Sequence, residues 1–410
     1  MRIAAFFLLL LLCAPLCAQT DVYKKRAEFD QKRAALAADD VEGRRSLAKW
    51  CLAQKLKQSA RLCFSEIVKL APDDKAAREA LGHVLEGATW YENDDARQTA
   101  LGKTRRLTQW ETIGEEQKAA LQPLHEYWLS AEELATLESG EALLAHTRKG
   151  EIDVLTRDFR IVSALAKEKT LEMATLIEQA ARAWRDAAKM PRDEKSRTLR
   201  ISILKDNASF VAMVKDDIES FDPELAKAQG FFDGQTCWLS YFDNWNTTER
   251  VLLHEARHQF DSLVSGKVIH MPSWYFEGTA EFYSMHTWDG KKLVMGKLVP
   301  EKNYSLFFCK KLLGQNKIKG AQKMLEDAPM ERIEPSYYQN AWAFVYYLRN
   351  SSYAEGFAKW ESALLEGKYA SAAEQLEGFK QQVAPDLAKF DKEYKAHLKE
   401  WTKLCPKEWK

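Results

Sequence analysis

The chain has 410 residues, with 60 Lys and Arg against 60 Asp and Glu, 46% hydrophobic and 11% aromatic residues. That much apolar material suffices for two domains and excludes disordered or collagen-like structure. The balanced charge removes the overall positive field that nucleic acid or an anionic membrane would attract, so any partner must be recognised at a local site.

Met1 to Ala18 reads as a secretory signal, with Arg2 as the positive start, Ala4 to Leu12 as the apolar run and Leu16-Cys17-Ala18 as the cleavage site. The run is too short to span a bilayer. Lipid attachment at Cys13 or Cys17 is the weaker reading, because Leu precedes each. A secreted, periplasmic or cell-envelope location is expected, with no transmembrane segment. Beyond the signal stand Cys51, Cys63, Cys237, Cys309 and Cys405, scattered and odd in number, which form neither a disulfide framework nor a CxxC knuckle. Cys51 and Cys63 are the one plausible pair, either cross-linking two helices or packing as buried thiols.

From Val41 to Asp74 the spacing of Leu47, Ala60, Phe64, Ile67 and Pro72 predicts a tetratricopeptide-like helix-turn-helix. The pattern restarts at Ala80-Leu81-Gly82 and fades through Trp90 and Trp110, so residues 19–150 are expected to form a small, irregular helical domain. Its role is packing, or contact with a protein partner. Residues 151–410 form the second expected domain. Ile152 to Thr156 and Phe159 to Ser163 read as strands, followed by a helix with Met173, Leu176, Ala180, Trp184 and Ala187 on one face. Thr198 to Leu204 alternates as a half-buried strand does, and Ala208 to Ser220 is again helical. Gln229 to Phe232 and Gln235 to Phe242 read as a hairpin turning at Asp233-Gly234. From Thr247 onward nearly everything reads as helix, ending in an amphipathic segment with Leu387, Phe390, Tyr394, Leu398 and Trp401. Strands first and helices afterwards predict an α+β, mostly helical fold.

The chemistry concentrates in Val251-Leu252-Leu253-His254-Glu255-Ala256-Arg257-His258-Gln259-Phe260. His254 and His258, four apart, share one helix face and can grip one zinc ion, while Glu255 can serve as general base toward a water on that ion. Asn246 with Glu249 resembles a capping box at the start of this helix. Glu277 follows in Pro272-Ser273-Trp274-Tyr275-Phe276-Glu277-Gly278-Thr279-Ala280-Glu281-Phe282, giving the spacing HExxH-x18-E and a candidate third ligand. Asp261 and Val264 occupy the places where a metzincin needs Gly and a third His. Glu281, one turn beyond Glu277, is either a support for a ligand imidazole or an ordinary helix carboxylate.

His254-Glu255-x-x-His258 followed by Trp274-x-x-Glu277-Gly278 resembles the gluzincin metallopeptidases, and among them the secreted bacterial peptidase-MA-like proteins that carry a tetratricopeptide-like front half. The resemblance spans roughly residues 150–350 and implies a zincin-like domain, one zinc ion, and hydrolysis of a peptide or protein substrate. It also implies a tyrosine that stabilises the oxyanion; Tyr338, with Trp342 four later, matches that pattern, and Tyr337 is the fallback. The G-x-M-E-N segment of the aminopeptidases is missing. Gly230 to Gly234 and the strand after it take its place, so cleavage within chains is favoured over aminopeptidase action. The alternative is a non-catalytic binding or envelope-assembly protein that retains a relic metal site. Gly102-Lys103-Thr104 lacks the upstream glycine of a phosphate loop, since Arg97 stands there. His83, His125, His146, His270, His286 and His397 are isolated; of these, His270 and His286 flank the third-ligand helix and are candidates to touch substrate.

Overall fold

The computed structural model describes residues 25, 28–107, 109–124, 126–148, 150–188, 198–216, 229–232, 236–242, 245–264, 271–298, 304–326 and 335–406. The signal segment, the Asp233-Gly234 turn, His125 and His270 lie outside them. The chain is α+β and mostly helical.

At the front, Val41–Ala53 and Lys57–Leu70 form a helical hairpin, and Lys75–Leu81 follows. Leu47, Ala48 and Cys51 of the first helix share a small core with Ala60, Cys63, Phe64 and Ile67 of the second. The two thiols are neighbours across this pair, Cys51 hydrogen-bonding the Cys63 sulfur.

After Leu81 the structure departs from the expected irregular helices. Three units follow, each a two-stranded hairpin and a short helix: Val84–Glu86 with Thr89–Tyr91 and helix Asp94–Ala100; Thr104–Arg105 with Trp110–Glu111 and helix Glu115–Ala119; Gln122–Leu124 with Tyr127–Leu129 and helix Ala131–Ser139. Each second strand carries a tryptophan, and a cation lies over each ring: Arg78 over Trp90 at 5.8 Å, Arg105 over Trp110 at 5.7 Å and Lys118 over Trp128 at 4.9 Å. Each helix opens on two acids, Asp94-Asp95, Glu115-Glu116 and Glu132-Glu133, at its positive end. Aromatic and β-branched residues favour strands here, and Gly87, at φ +60°, permits the first turn.

The main sheet has six strands: β1 (Leu143–Arg148), β2 (Glu151–Leu155), β3 (Phe159–Ser163), β4 (Leu199–Leu204), β5 (Gly230–Phe232) and β6 (Thr236–Ser240). Their order is β5-β6-β4-β3-β2-β1, with β3, β4 and β6 parallel and the outer pairs antiparallel. The β1–β2 hairpin spans Gly150, the position of the expected domain boundary. A small core of Leu124, Tyr127, Leu129, Leu137, Ala145 and Leu155 also joins the two sides of that boundary. In register, Ile161, Ile201 and Cys237 line up across the parallel strands. They pack in one core with Met173, Leu176, Ala180 and Trp184 of the helix Lys167–Ala188.

Beyond the sheet come the motif helix Trp245–Val264, the glutamate helix Ser273–Ser284, and helices Tyr304–Gly314, Ala321–Leu325, Pro335–Arg349, Ala354–Leu365, Ala372–Gln382 and Leu387–Thr402. Between the glutamate helix and the next helix, His286–Trp288 and Leu293–Met295 pair as a hairpin where helix was expected. Gln179 and Glu172 of the long sheet-covering helix hold it, through Lys291 O at 2.6 Å, Leu293 N at 3.0 Å and Trp288 Nε1 at 3.1 Å. No helix among the described residues is long and apolar enough to cross a membrane.

Candidate metal centre

The motif helix is buried almost all round, which its sequence permits because Leu252, Leu253, Ala256 and Phe260 are apolar and Thr248, Glu249, Arg257 and Gln259 find partners. Gln259 Nε2 donates to Arg200 O at 2.8 Å, tying the helix to β4. Gly230 lets β5 approach closely, since a β-carbon there would stand 2.8 Å from Val251 Cγ1 of the motif helix. The helix runs over Trp245–Val264 and the Glu249 carboxylate faces His286; the Asn246 side chain of the expected capping box lies outside what the structure describes.

The glutamate helix crosses Pro335–Arg349 at a point where Gly278 meets Ala341, and a β-carbon at 278 would sit 2.5 Å from the Ala341 carbonyl oxygen. These crossings bring His254, His258 and Glu277 together. His254 Nε2 and His258 Nε2 are 3.1 Å apart, and Glu277 Oε2 lies 3.4 Å from each. A tetrahedral zinc ion with bonds of about 2.0–2.1 Å needs donor atoms about 3.3 Å apart, so the triangle and its two-imidazole, one-carboxylate chemistry fit zinc.

The other ring nitrogen of His254, Nδ1, meets Glu281 Oε1 at 3.2 Å. Such a carboxylate fixes the tautomer and the ring plane. His258 is steadied differently, by the ring of Phe276 stacked on it at 4.0 Å and 20°. Phe276 was missed in sequence reading; its only signal is its place immediately before Glu277. Tyr338 stands with its ring centroid 6.5 Å from that of His254, whereas Tyr337 is buried with Lys319 over its ring at 4.9 Å. Of the two tyrosines, Tyr338 is thus the one the fold brings to the histidines.

Burial opposes charge on His254, yet Glu277 and Glu281 outweigh it and hold its protonated form well above the ordinary range. Burial likewise works to raise Glu277, but His258 and His254 prevail and keep its carboxyl well below the usual range. Glu281 is also lowered, Arg250 and His254 overcoming burial. Glu255 moves the other way: burial raises its carboxyl against the pull of both histidines. Burial and the charges of Glu277, Glu255 and Glu281 push the Tyr338 phenol well up, so its hydroxyl keeps its proton.

Behind the centre lies an ion network that sequence reading did not anticipate. Arg257 donates to Asp261 twice, at 2.8 and 2.6 Å, while Tyr275 donates to Glu361 at 2.7 Å and Arg349 also bonds Glu361. His286, expected as a substrate contact, is instead held between Ser284 O and Glu249 Oε2, both at 2.9 Å. His397 and His83 bond Glu393 O and Arg78 and stand outside the cluster. The chain matches no protein-family model, and no curated protein matches it either.

Proposed function

We propose that this chain is a zinc-dependent peptidase of gluzincin type, acting outside the cytoplasm and cutting within peptide chains. The observation that carries the reading is the donor triangle of His254, His258 and Glu277 with Glu255 beside it, a carboxylate that ligation leaves over. When bound, zinc would supply a Lewis acid that acidifies water and polarises a carbonyl. Glu255, its carboxyl raised by burial, is suited to take a proton from the attacking water and return it to the leaving amine as the C–N bond breaks. Tyr338, kept protonated, donates to the carbonyl oxygen as that atom gains charge. Glu281 keeps the His254 ring turned toward the centre. Among the described residues β5 is the edge strand of the sheet, and it offers an extended substrate a backbone to pair with, alongside the motif helix.

The test is Glu255→Gln beside the unmodified chain, with zinc content measured by elemental analysis and turnover measured on an unfolded protein substrate. One zinc in both, with hydrolysis only in the unmodified chain, supports the peptidase. Equal turnover removes Glu255 from the chemistry. Zinc in both and turnover in neither favours the binding-protein reading.

A further inference from the structure

The front helical hairpin has a small core of its own. Cys51 and Cys63 lie in it with Leu47, Phe64 and Ile67, and this cluster shares no residue with the large core around the sheet and the metal centre. So few apolar side chains bury little surface, and natural cores of this size are commonly reinforced by a covalent staple. The two helices are joined by a tight turn, in which Lys55 takes φ +62° and Leu56 N donates to Cys51 O at 2.8 Å. Both sulfurs end up inside the pair, fully buried and hydrogen-bonded to each other. A disulfide forms without backbone movement only where two cysteine side chains already face each other, and a hydrogen bond between the sulfurs meets that condition.

We propose that Cys51 and Cys63 are a site of oxidation, joined by a disulfide that staples the front hairpin when the chain folds in the presence of a small-molecule disulfide such as glutathione disulfide. Cys63 is the attacking group. The hydrogen bond from Cys51 holds its thiol below the ordinary range, with help from Arg33 and Arg44 and against burial and Glu66. Its thiolate attacks one sulfur of glutathione disulfide and releases one glutathione thiolate; Cys51 then gives its proton to solvent, attacks the Cys63 sulfur and releases the second. Two protein thiols lose two electrons between them, and one glutathione disulfide is reduced to two thiols. Because both sulfurs are buried in the closed hairpin, the exchange takes place while the helices are still open. Cys309 and Cys405 differ, since burial raises both of their thiols and leaves them poor nucleophiles. The staple is independent of the peptidase reading.

The test folds the full chain in a buffer of reduced and oxidised glutathione, alkylates it without reductant and digests it with trypsin. Cleavage after Lys49, Lys55, Arg61 and Lys69 places the two cysteines in separate peptides, residues 50–55 and 62–69. These peptides are expected to run as one species, lighter by two hydrogens than their sum, and to separate on reduction. Amide exchange over Val41–Ala53 and Lys57–Leu70 should quicken on the order of a hundredfold when the folded chain is reduced. The double variant Cys51→Ala, Cys63→Ala should exchange at one rate with and without reductant. Recovery of both cysteines alkylated from the oxidising buffer overturns the proposal. So does a bond from either of them to Cys237, Cys309 or Cys405, or exchange in the front helices that reduction leaves unchanged.

Discussion

Gly278 lies directly against the backbone of Ala341, leaving no room for a β-carbon, which would fall 2.5 Å from the Ala341 carbonyl oxygen and 2.7 Å from Val345 Cγ2. This single contact sets the spacing between the helix that carries Glu277 and the helix that carries Tyr338. Gly278→Ala should therefore cost about 1–3 kcal/mol by overpacking and lower the melting temperature. Forcing the helices apart should also weaken zinc binding. A variant with unchanged melting and unchanged metal affinity would remove the crossing from the account of the centre.

Glu281 touches His254 on the side away from the donor triangle, at 3.2 Å. Glu281→Ala frees that ring to turn, and zinc affinity should fall about 10–100-fold. Competition against a chromophoric chelator measures this directly. An unaltered affinity would return Glu281 to the rank of an ordinary helix carboxylate.

Arg257 is buried beside Trp184, Phe260 and Tyr283, and Asp261 is its paired carboxylate at 2.6 and 2.8 Å. Asp261→Ala leaves a buried guanidinium without that partner and should destabilise the chain by about 3–5 kcal/mol. Replacing both residues by apolar ones should cost less than replacing either alone. Urea unfolding of the two single variants and the double variant reads the difference, and additive losses would contradict the pairing.

The front helices carry an acid-sensitive ion pair. The Arg45 hydrogen bond holds the Asp74 carboxyl below its ordinary range, against burial and with help from Ala77 N–H, which donates to it at 2.8 Å. A depressed folded-state value means stabilisation that is present above the unfolded value of about 3.9 and lost as pH falls through the folded one. Asp74→Asn keeps a good helix cap and removes the charge. It should melt below the unmodified chain at neutral pH, and the gap should close in acid. A gap that is constant with pH would assign the effect to something other than ionisation.

Local pattern by itself determined the part of this protein that depends on periodicity. Strands β2, β3, β4 and β6 and the long helix after β3 follow from alternation and from apolar residues every third or fourth place, because burying one face is enough to select the element. The placing of His254 and His258 on one helix face needs nothing beyond the helical repeat. The tertiary structure alone decided what those residues meet. That Glu277 Oε2 stands 3.4 Å from both imidazoles, that Phe276 stacks on His258, and that Tyr338 rather than Tyr337 approaches the histidines depend on how two helices cross at Gly278. The hairpins around Trp90, Trp110 and Trp128 escaped sequence reading because strands of two or three residues are too short to show a period. The pairings of Arg257 with Asp261 and of His286 with Glu249 escaped it for a different reason: a charged residue looks solvent-facing in sequence until the fold supplies the partner that lets it be buried.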